Sequence, residues 1–383
     1  MGTYYFDHAA TTPMRPEVAQ AMLGAMSGPS NASSMHAFGR EAKQRLNRSR
    51  DLIASALGCK PSELVFTSGG TESDNAALIG AAKAQRKRGR SHIVTSAGEH
   101  HAVLHTCEWL SREEGFGLTV LPLGSDGTTD PELVRAALTP ETGLVSIMHG
   151  NNEVGSLQPI ERIGEIAHAG GALFHVDAVQ TLGWIPYRLG ELPVDFMSFS
   201  AHKINGPQGV GALYAAAGTP FESIQHGGSQ ERKRRAGTEN IAGIVGFAEA
   251  VDISVNERAK KQPLMDELRM RWIELLQTHA GVPIAVNGGE RNRLPHIVNV
   301  SFIGIDTETM LMNLDMEGIA ASSGSACTSG SLERSHVLRA MRLPEDRLQS
   351  AVRFSFGLGN TLEELEDAAQ KIGTIVRRIR NNY

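Results

Sequence analysis

Between residues 64 and 214 the chain alternates short apolar runs of strand length with longer stretches of helical apolar spacing, without internal sequence repeats. Leu64-Val65-Phe66-Thr67 leads into Thr71-Glu72-Ser73-Asp74-Asn75-Ala76-Ala77-Leu78-Ile79, whose spacing continues helically to Lys87. Ile93-Val94-Thr95 precedes a helix from about Ala102 to Glu113, and Leu118–Leu121, Leu144–Met148 and Leu173–Val176 follow with helices between them. Phe196–Phe199 and Val210–Tyr214 close the series. Strands separated by helices predict a mostly parallel sheet covered on both faces.

After about Asp252 the pattern changes. Long amphipathic helices near Lys261–Gln277 and Leu362–Arg380 flank the strand-like Ile297–Phe302 and Val352–Phe356. At 383 residues the chain is long for one core and fits two. The expected fold is therefore α/β: a large domain over 15–252 with a mostly parallel central sheet covered by helices, and a smaller α+β domain from 1–14 and 253–383.

Composition bounds the function. A net charge of -5 gives no reason to expect nucleic acid as a partner. The start, Met1-Gly2-Thr3-Tyr4-Tyr5-Phe6-Asp7, lacks a basic region followed by an apolar run, and no apolar stretch approaches the roughly 20 residues of a membrane helix. Cys59, Cys107 and Cys327 are too few and too scattered for a disulfide framework or a Cys-x-x-Cys metal site. A cytoplasmic, reducing setting and no membrane partner are the expectation.

Ser198-Phe199-Ser200-Ala201-His202-Lys203-Ile204-Asn205-Gly206-Pro207 places a lysine just past an apolar strand, beside side chains that can bind phosphate. His175-Val176-Asp177-Ala178-Val179-Gln180 ends another strand with an acid and an amide. Together they suit pyridoxal 5'-phosphate, for which Lys203 forms the Schiff base and Asp177 keeps the ring nitrogen protonated. Separately, a surface lysine and a strand-end acid are common. Ser68-Gly69-Gly70-Thr71 lies between a strand and a helix, where backbone N–H groups can hold phosphate; alone it reads as a turn and cap, and with Ser200, His202 and Lys203 it reads as a phosphate cup.

Other candidates lie on loops. In Glu99-His100-His101-Ala102-Val103 one histidine could stack on a flat cofactor and move protons, or simply face solvent at a helix start. His101 and His105 could pair on a metal, but no third ligand is in sight, so no metal is expected. Asn151-Asn152-Glu153-Val154-Gly155 is an Asn-rich turn placed to contact substrate or ring. Cys327 sits in Ala321-Ser322-Ser323-Gly324-Ser325-Ala326-Cys327-Thr328-Ser329-Gly330-Ser331, where small and polar residues predict a mobile loop. A thiol there suits attack and transfer, whereas Cys107 sits in an apolar run and Cys59 follows Leu57-Gly58 as an ordinary packed or turn residue.

These segments resemble the cysteine desulfurases of the NifS/IscS-like group in the class V aminotransferase superfamily, which are fold-type I enzymes. The resemblance runs from Tyr5-Phe6-Asp7-His8-Ala9-Ala10-Thr11-Thr12-Pro13 to Arg353-Phe354-Ser355-Phe356-Gly357. Its most specific parts are Thr67–Ser73, His202-Lys203 with Gly206-Pro207, and Ser322–Cys327. It implies Lys203 as the cofactor lysine, Asp177 on the ring nitrogen, Gln180 on the phenolic oxygen, and His100 stacked on the ring as acid/base. It implies Gly70, Thr71, Ser200 and His202 on the phosphate, with Thr238 reaching the phosphate of the opposite subunit of a homodimer. Asn152 and Arg353 would bind the carboxylate of L-cysteine, and Cys327 would accept its sulfur as a persulfide. The product would be L-alanine, and the sulfur would pass to an acceptor protein such as an iron-sulfur scaffold or a tRNA-thiolation enzyme.

The departures are small: Ala32 where proline is usual, Ser229 in place of a third glycine, and Ala236 where serine is common. None is a proposed catalytic group. A selenocysteine lyase or a transaminase would share Lys203 and Asp177, though a transaminase has no use for the Cys327 thiol. A sulfur-delivery protein with a vestigial site is a further alternative, opposed by the presence of Lys203, Asp177, His100 and Cys327 together.

Overall fold

The computed structural model describes residues 3–324 and 334–381. The chain is an α/β protein built on a seven-stranded sheet. Its strands lie in the order Leu64–Thr67, Gly211–Ala215, Phe196–Ser200, Leu173–Asp177, Thr142–Ser146, His92–Ser96 and Gly117–Leu121. Of these, only Gly211–Ala215 runs against its two neighbours, so the sheet is mostly parallel. The central strands are mostly apolar and buried on both sides, because helices cover both faces: Val145, Phe174, Val176, Phe196 and Phe199 are all fully buried, as are the polar Ser146, His175 and Ser198 between them. The helix Gly70–Arg86 packs across several of these strands and against His101–Glu114, on whose inner face Cys107 is buried.

A smaller three-stranded antiparallel sheet orders Ala351–Ser355, Ile297–Phe302 and Ile284–Asn287. Its core gathers Trp272, Phe302, Phe354 and Phe356 with the inner face of Leu362–Asn381. The N-terminal residues belong to this part of the molecule: Tyr4–Tyr5 pairs in parallel with Ile319–Ala320, and Asp7 bridges to Ser355.

The helix expected from Lys261 begins at Ile241 and runs unbroken to His279. Its opening turns Ile241–Val251, with Ile244, Phe247 and Val251 buried, hold one charged residue, Glu249, and so carry no polar stripe from which an amphipathic period could be read. The Asn240 side chain accepts from Gly243 N–H and starts it. Pro263 inside it is exposed, so the carbonyl that loses its partner there opens to water. The boundary drawn at 252/253 from sequence falls within this helix.

Candidate active site

In a parallel sheet the strand ends and following loops open on one side, and a cleft of about 340 Å³ sits there. It is lined by Gly70, Thr71, His100, Asn152, Asp177, Gln180, Ser200, His202, Lys203 and Arg353, drawn from segments nearly three hundred residues apart in sequence. Thr238 does not line it; this residue is exposed, on a segment fixed by the Arg235–Glu72 ion pair at 2.8 Å. Cys327 lies outside the described residues, as does its expected loop from residue 325 on, and Gly324, the last described residue before that segment, lines the cleft.

Lys203 ends the single helical turn Ala201–Lys203 that follows the strand Phe196–Ser200. Its Nζ donates to the carbonyls of Ala9 and Ala10, at 2.6 and 2.7 Å. The Ala9 carbonyl also accepts from Gln180 Nε2 at 2.9 Å. One N-terminal turn therefore holds both a candidate covalent anchor and a candidate ring contact.

Asp177 closes its strand and accepts from Val179 N–H at 2.9 Å. Burial first, then the nearby Asp74, push its carboxyl up to about 7. Burial also pushes Asp74 up to about 7, with the Ser198 hydroxyl pulling it back, and its Oδ1 lies 3.5 Å from His175 Nε2. Beneath them His175 Nδ1 bonds Ser146 Oγ at 2.8 Å and Nε2 bonds Ser198 Oγ at 3.0 Å, so this imidazole is fully engaged. Two buried acids whose charged forms the protein alone disfavours are matched to a cationic ring N–H.

The phosphate end is shaped by the start of Gly70–Arg86. A Cβ at Gly70 would stand 2.7 Å from Val179 Cγ2, so any side chain there would push Val179 aside where helix start and loop approach. Gly70 and Thr71 present a helix N-terminus beside Ser200 and His202. His202 Nδ1 is hydrogen-bonded with Thr11 Oγ1 at 3.1 Å, and burial, then the charge of Lys203, lower its pKa to about 4. A lysine, a buried acid and a helix-start anion cup at separate corners of one cleft fit pyridoxal phosphate.

His100 caps the helix His101–Glu114: its Nδ1 accepts from Ala102 N–H at 3.1 Å. With that lone pair engaged, the neutral ring carries its hydrogen on Nε2. Burial, followed by the charge of Lys203, lowers its pKa to about 4. Arg353, only 2 % exposed, donates from Nη1 to Asn152 O at 2.9 Å and from Nη2 to Asp7 Oδ1 at 2.7 Å, while Nε has no hydrogen-bond partner among the described residues. Burial pushes the Cys59 thiol up to about 12 and raises that of Cys107 further, so both stay protonated and are poor nucleophiles.

The sequence reading missed Asp7, Ala9, Ala10 and Asp74 as parts of the site. Asp74 carried a usable signal, an acid on the buried face of the helix that starts at Gly70. The two carbonyls carried none, because any residue has one.

Comparison with known proteins places the chain in a family. The family described as Aminotransferase class-V matches residues 4–367. A curated relative named putative cysteine desulfurase IscS 1, from Bacillus subtilis (strain 168), is 47% identical over 381 residues, covering 99% of this chain and 100% of its own. A solved NifS-like protein superposes with a TM-score of 0.92 at 38% identity, covering 98% of this chain and 100% of that one. Another, described as SspA in complex with cysteine, gives a TM-score of 0.81 at 33% identity over 92% of this chain and 99% of its own. On sequence and fold alike, the chain belongs to the class-V aminotransferase family, within its NifS/IscS-like cysteine desulfurases.

Proposed function

We propose that this protein removes sulfur from L-cysteine, releases L-alanine, and takes the sulfur onto Cys327 as a persulfide for delivery to an acceptor protein. The observation that carries the reading is the convergence of Lys203, Asp177, His100 and Arg353 on one cleft. The relatives' activity and the cysteine in a structural neighbour's complex support the choice of substrate.

Pyridoxal 5'-phosphate is the cofactor of this family, and when bound it supplies an electron sink that acidifies the substrate Cα–H. Lys203 would bind its aldehyde carbon, Asp177 would hold the ring N–H, Gln180 would meet the phenolic oxygen, and Gly70, Thr71, Ser200 and His202 would hold the phosphate. Arg353, steadied by Asp7 and by Asn152 O, fixes the substrate carboxylate together with Asn152. Lys203 Nζ takes the Cα proton. His100 offers its Nε2–H to the reacting groups from a fixed ring, because the Ala102 N–H holds Nδ1.

Cys327, as thiolate, attacks the substrate sulfur. An S–S bond forms and the Cβ–S bond breaks, its electron pair staying with the carbon skeleton. Protons delivered to Cβ and Cα complete alanine. In sum, L-cysteine and the Cys327 thiol give L-alanine and the Cys327 persulfide, with no outside oxidant. An iron-sulfur scaffold or a tRNA-thiolation enzyme then takes the sulfur. We place the enzyme in the cytoplasm as a homodimer; no helix among the described residues is long and apolar enough to cross a membrane.

The test is Cys327→Ser loaded with pyridoxal phosphate. It should keep the cofactor's absorbance change on adding L-cysteine while releasing no alanine. Brief exposure of the unmodified enzyme to L-cysteine should leave one added sulfur on Cys327 by mass spectrometry. Alanine released at the full rate by Cys327→Ser would overturn the proposal.

A further inference from the structure

Glu153 is used by none of the steps above, yet it is 1% exposed in the turn that also carries Asn152. Its backbone is locked: Asn151 Oδ1 accepts from the N–H groups of Glu153 and Val154, at 2.8 and 2.9 Å. The carboxyl it projects into the protein meets both ends of the segment 325–333. On one side, Ser335 Oγ donates to Glu153 Oε2 at 2.5 Å. The same hydroxyl accepts from Leu338 N–H at 3.0 Å, so its own hydrogen is left for the carboxyl. On the other side, a Cβ at Gly324 would stand 2.8 Å from that same Oε2, and Gly324 has a φ of +89°. Only glycine fits there on both counts.

Each end has a second tie to the site. Ser322 and Arg353 exchange backbone hydrogen bonds of 3.2 and 2.6 Å, and Gly324 N–H donates to Ser322 Oγ at 3.1 Å. His336, next to Ser335, hydrogen-bonds Glu99 O at 2.9 Å, and its ring lies 4.6 Å from that of His101. The two ends are thereby attached to the residues beside Arg353 and His100, with one carboxylate oxygen between them. Burial pushes the Glu153 carboxyl up to about 7, and the Ser335 hydroxyl followed by Arg353 pulls it back down.

We propose that Glu153 is a positioning residue that fixes where both ends of the segment bearing Cys327 are anchored, and thereby the rate at which sulfur reaches Cys327. This inference rests on Cys327 being the sulfur acceptor. Glu153 itself touches no reactant; Asn152, and not Glu153, lines the cleft.

The experiment uses full-length, pyridoxal phosphate-loaded enzyme and two readouts. One is the L-cysteine concentration that half-saturates the cofactor absorbance change. The other is the rate at which one sulfur appears on Cys327, by rapid quench and mass spectrometry. In Glu153→Ala the sulfur rate should fall about 10- to 100-fold, the scale of a misplaced reacting group, with half-saturation held within about twofold. Glu153→Gln keeps an acceptor oxygen for Ser335 and should recover the sulfur rate to within about threefold of the unmodified enzyme. Sulfur arriving on Cys327 of Glu153→Ala at the unmodified rate would overturn the inference, as would half-saturation worsening by the same factor as the rate. Should Glu153→Ala fail to fold, Ser335→Ala removes the hydroxyl with the carboxyl in place and is judged on the same two readouts. If the unmodified enzyme itself places no sulfur on Cys327, the proposed function falls and this inference with it; if only the variants behave as unmodified enzyme, this inference falls alone.

Discussion

Asp7 Oδ1 stands 2.7 Å from Nη2 of Arg353, a pair that ties the N-terminal segment to the strand Ala351–Ser355 and is nearly closed to water on the arginine side. The acid both neutralises and aims the guanidinium that we propose for the substrate carboxylate. Removing one partner of such a pair leaves a buried charge uncompensated. Asp7→Ala should raise the KM for L-cysteine about tenfold, ~1.4 kcal/mol, and change kcat less. Steady-state kinetics with Asp7→Asn alongside checks this; an unchanged KM in Asp7→Ala would remove Arg353 positioning as the role of Asp7.

Lys203 Nζ is held by the carbonyls of Ala9 and Ala10 in the cleft that Gly70, Thr71, Ser200 and His202 also line. Purified protein should be yellow, and borohydride should fix the pyridoxyl group on Lys203, seen by peptide mapping. Lys203→Ala should abolish turnover and still retain some cofactor through Gly70, Thr71, Ser200 and His202. Label on any other lysine contradicts the assignment.

The Asp177 carboxyl is raised from 3.8 to about 7 by burial and by Asp74. In the folded, cofactor-free protein it therefore binds its proton more tightly than in the unfolded chain. Its contribution is fully present below about pH 4 and is lost as pH rises through about 7. Buried His100, His175 and His202, lowered from 6.5 to about 4, slope the other way, so the wild-type curve alone does not isolate Asp177. The Tm of cofactor-free Asp177→Asn, minus that of wild type, should rise steadily from pH 4 to pH 8. A flat difference would show that Asp177 is not the strained acid. With pyridoxal phosphate present the order should reverse, because asparagine cannot pair with the ring cation.

Thr238 is exposed and outside the cleft of its own chain, on a segment anchored through Arg235 to Glu72 beside the phosphate cup. If it serves the opposite subunit of a two-fold dimer, a mixed dimer of Lys203→Ala and Thr238→Ala chains should keep about half the activity, since one site carries both defects and the other neither. If Thr238 served its own subunit, each site would carry one defect and activity would be far lower. Kinetics of tagged, purified mixed dimers decide between the two.

The sequence by itself determined the sheet and the chemical inventory. Val145, Phe174, Val176 and Phe199 lie in short, mostly apolar runs without strict alternation because both faces of a parallel sheet are covered, and that pattern is local. Lys203 and Asp177 could be read because each follows such a run, and ligands in this architecture gather beyond strand ends. The opening turns Ile241–Val251 of the helix Ile241–His279 could not, since a segment with no exposed residue has no amphipathic period to display. Only the tertiary structure decided that the Ala9 and Ala10 carbonyls hold Lys203, that Asp7 aims Arg353, and that Asp74 doubles the acid beneath the cleft. Those relations join residues up to 346 positions apart, and they depend on distance and burial, which no spacing along the chain encodes. Glu153 shows the same limit. Its sequence neighbours mark a turn, and its meaning comes from Gly324 and Ser335 arriving at one oxygen from the far end of the chain.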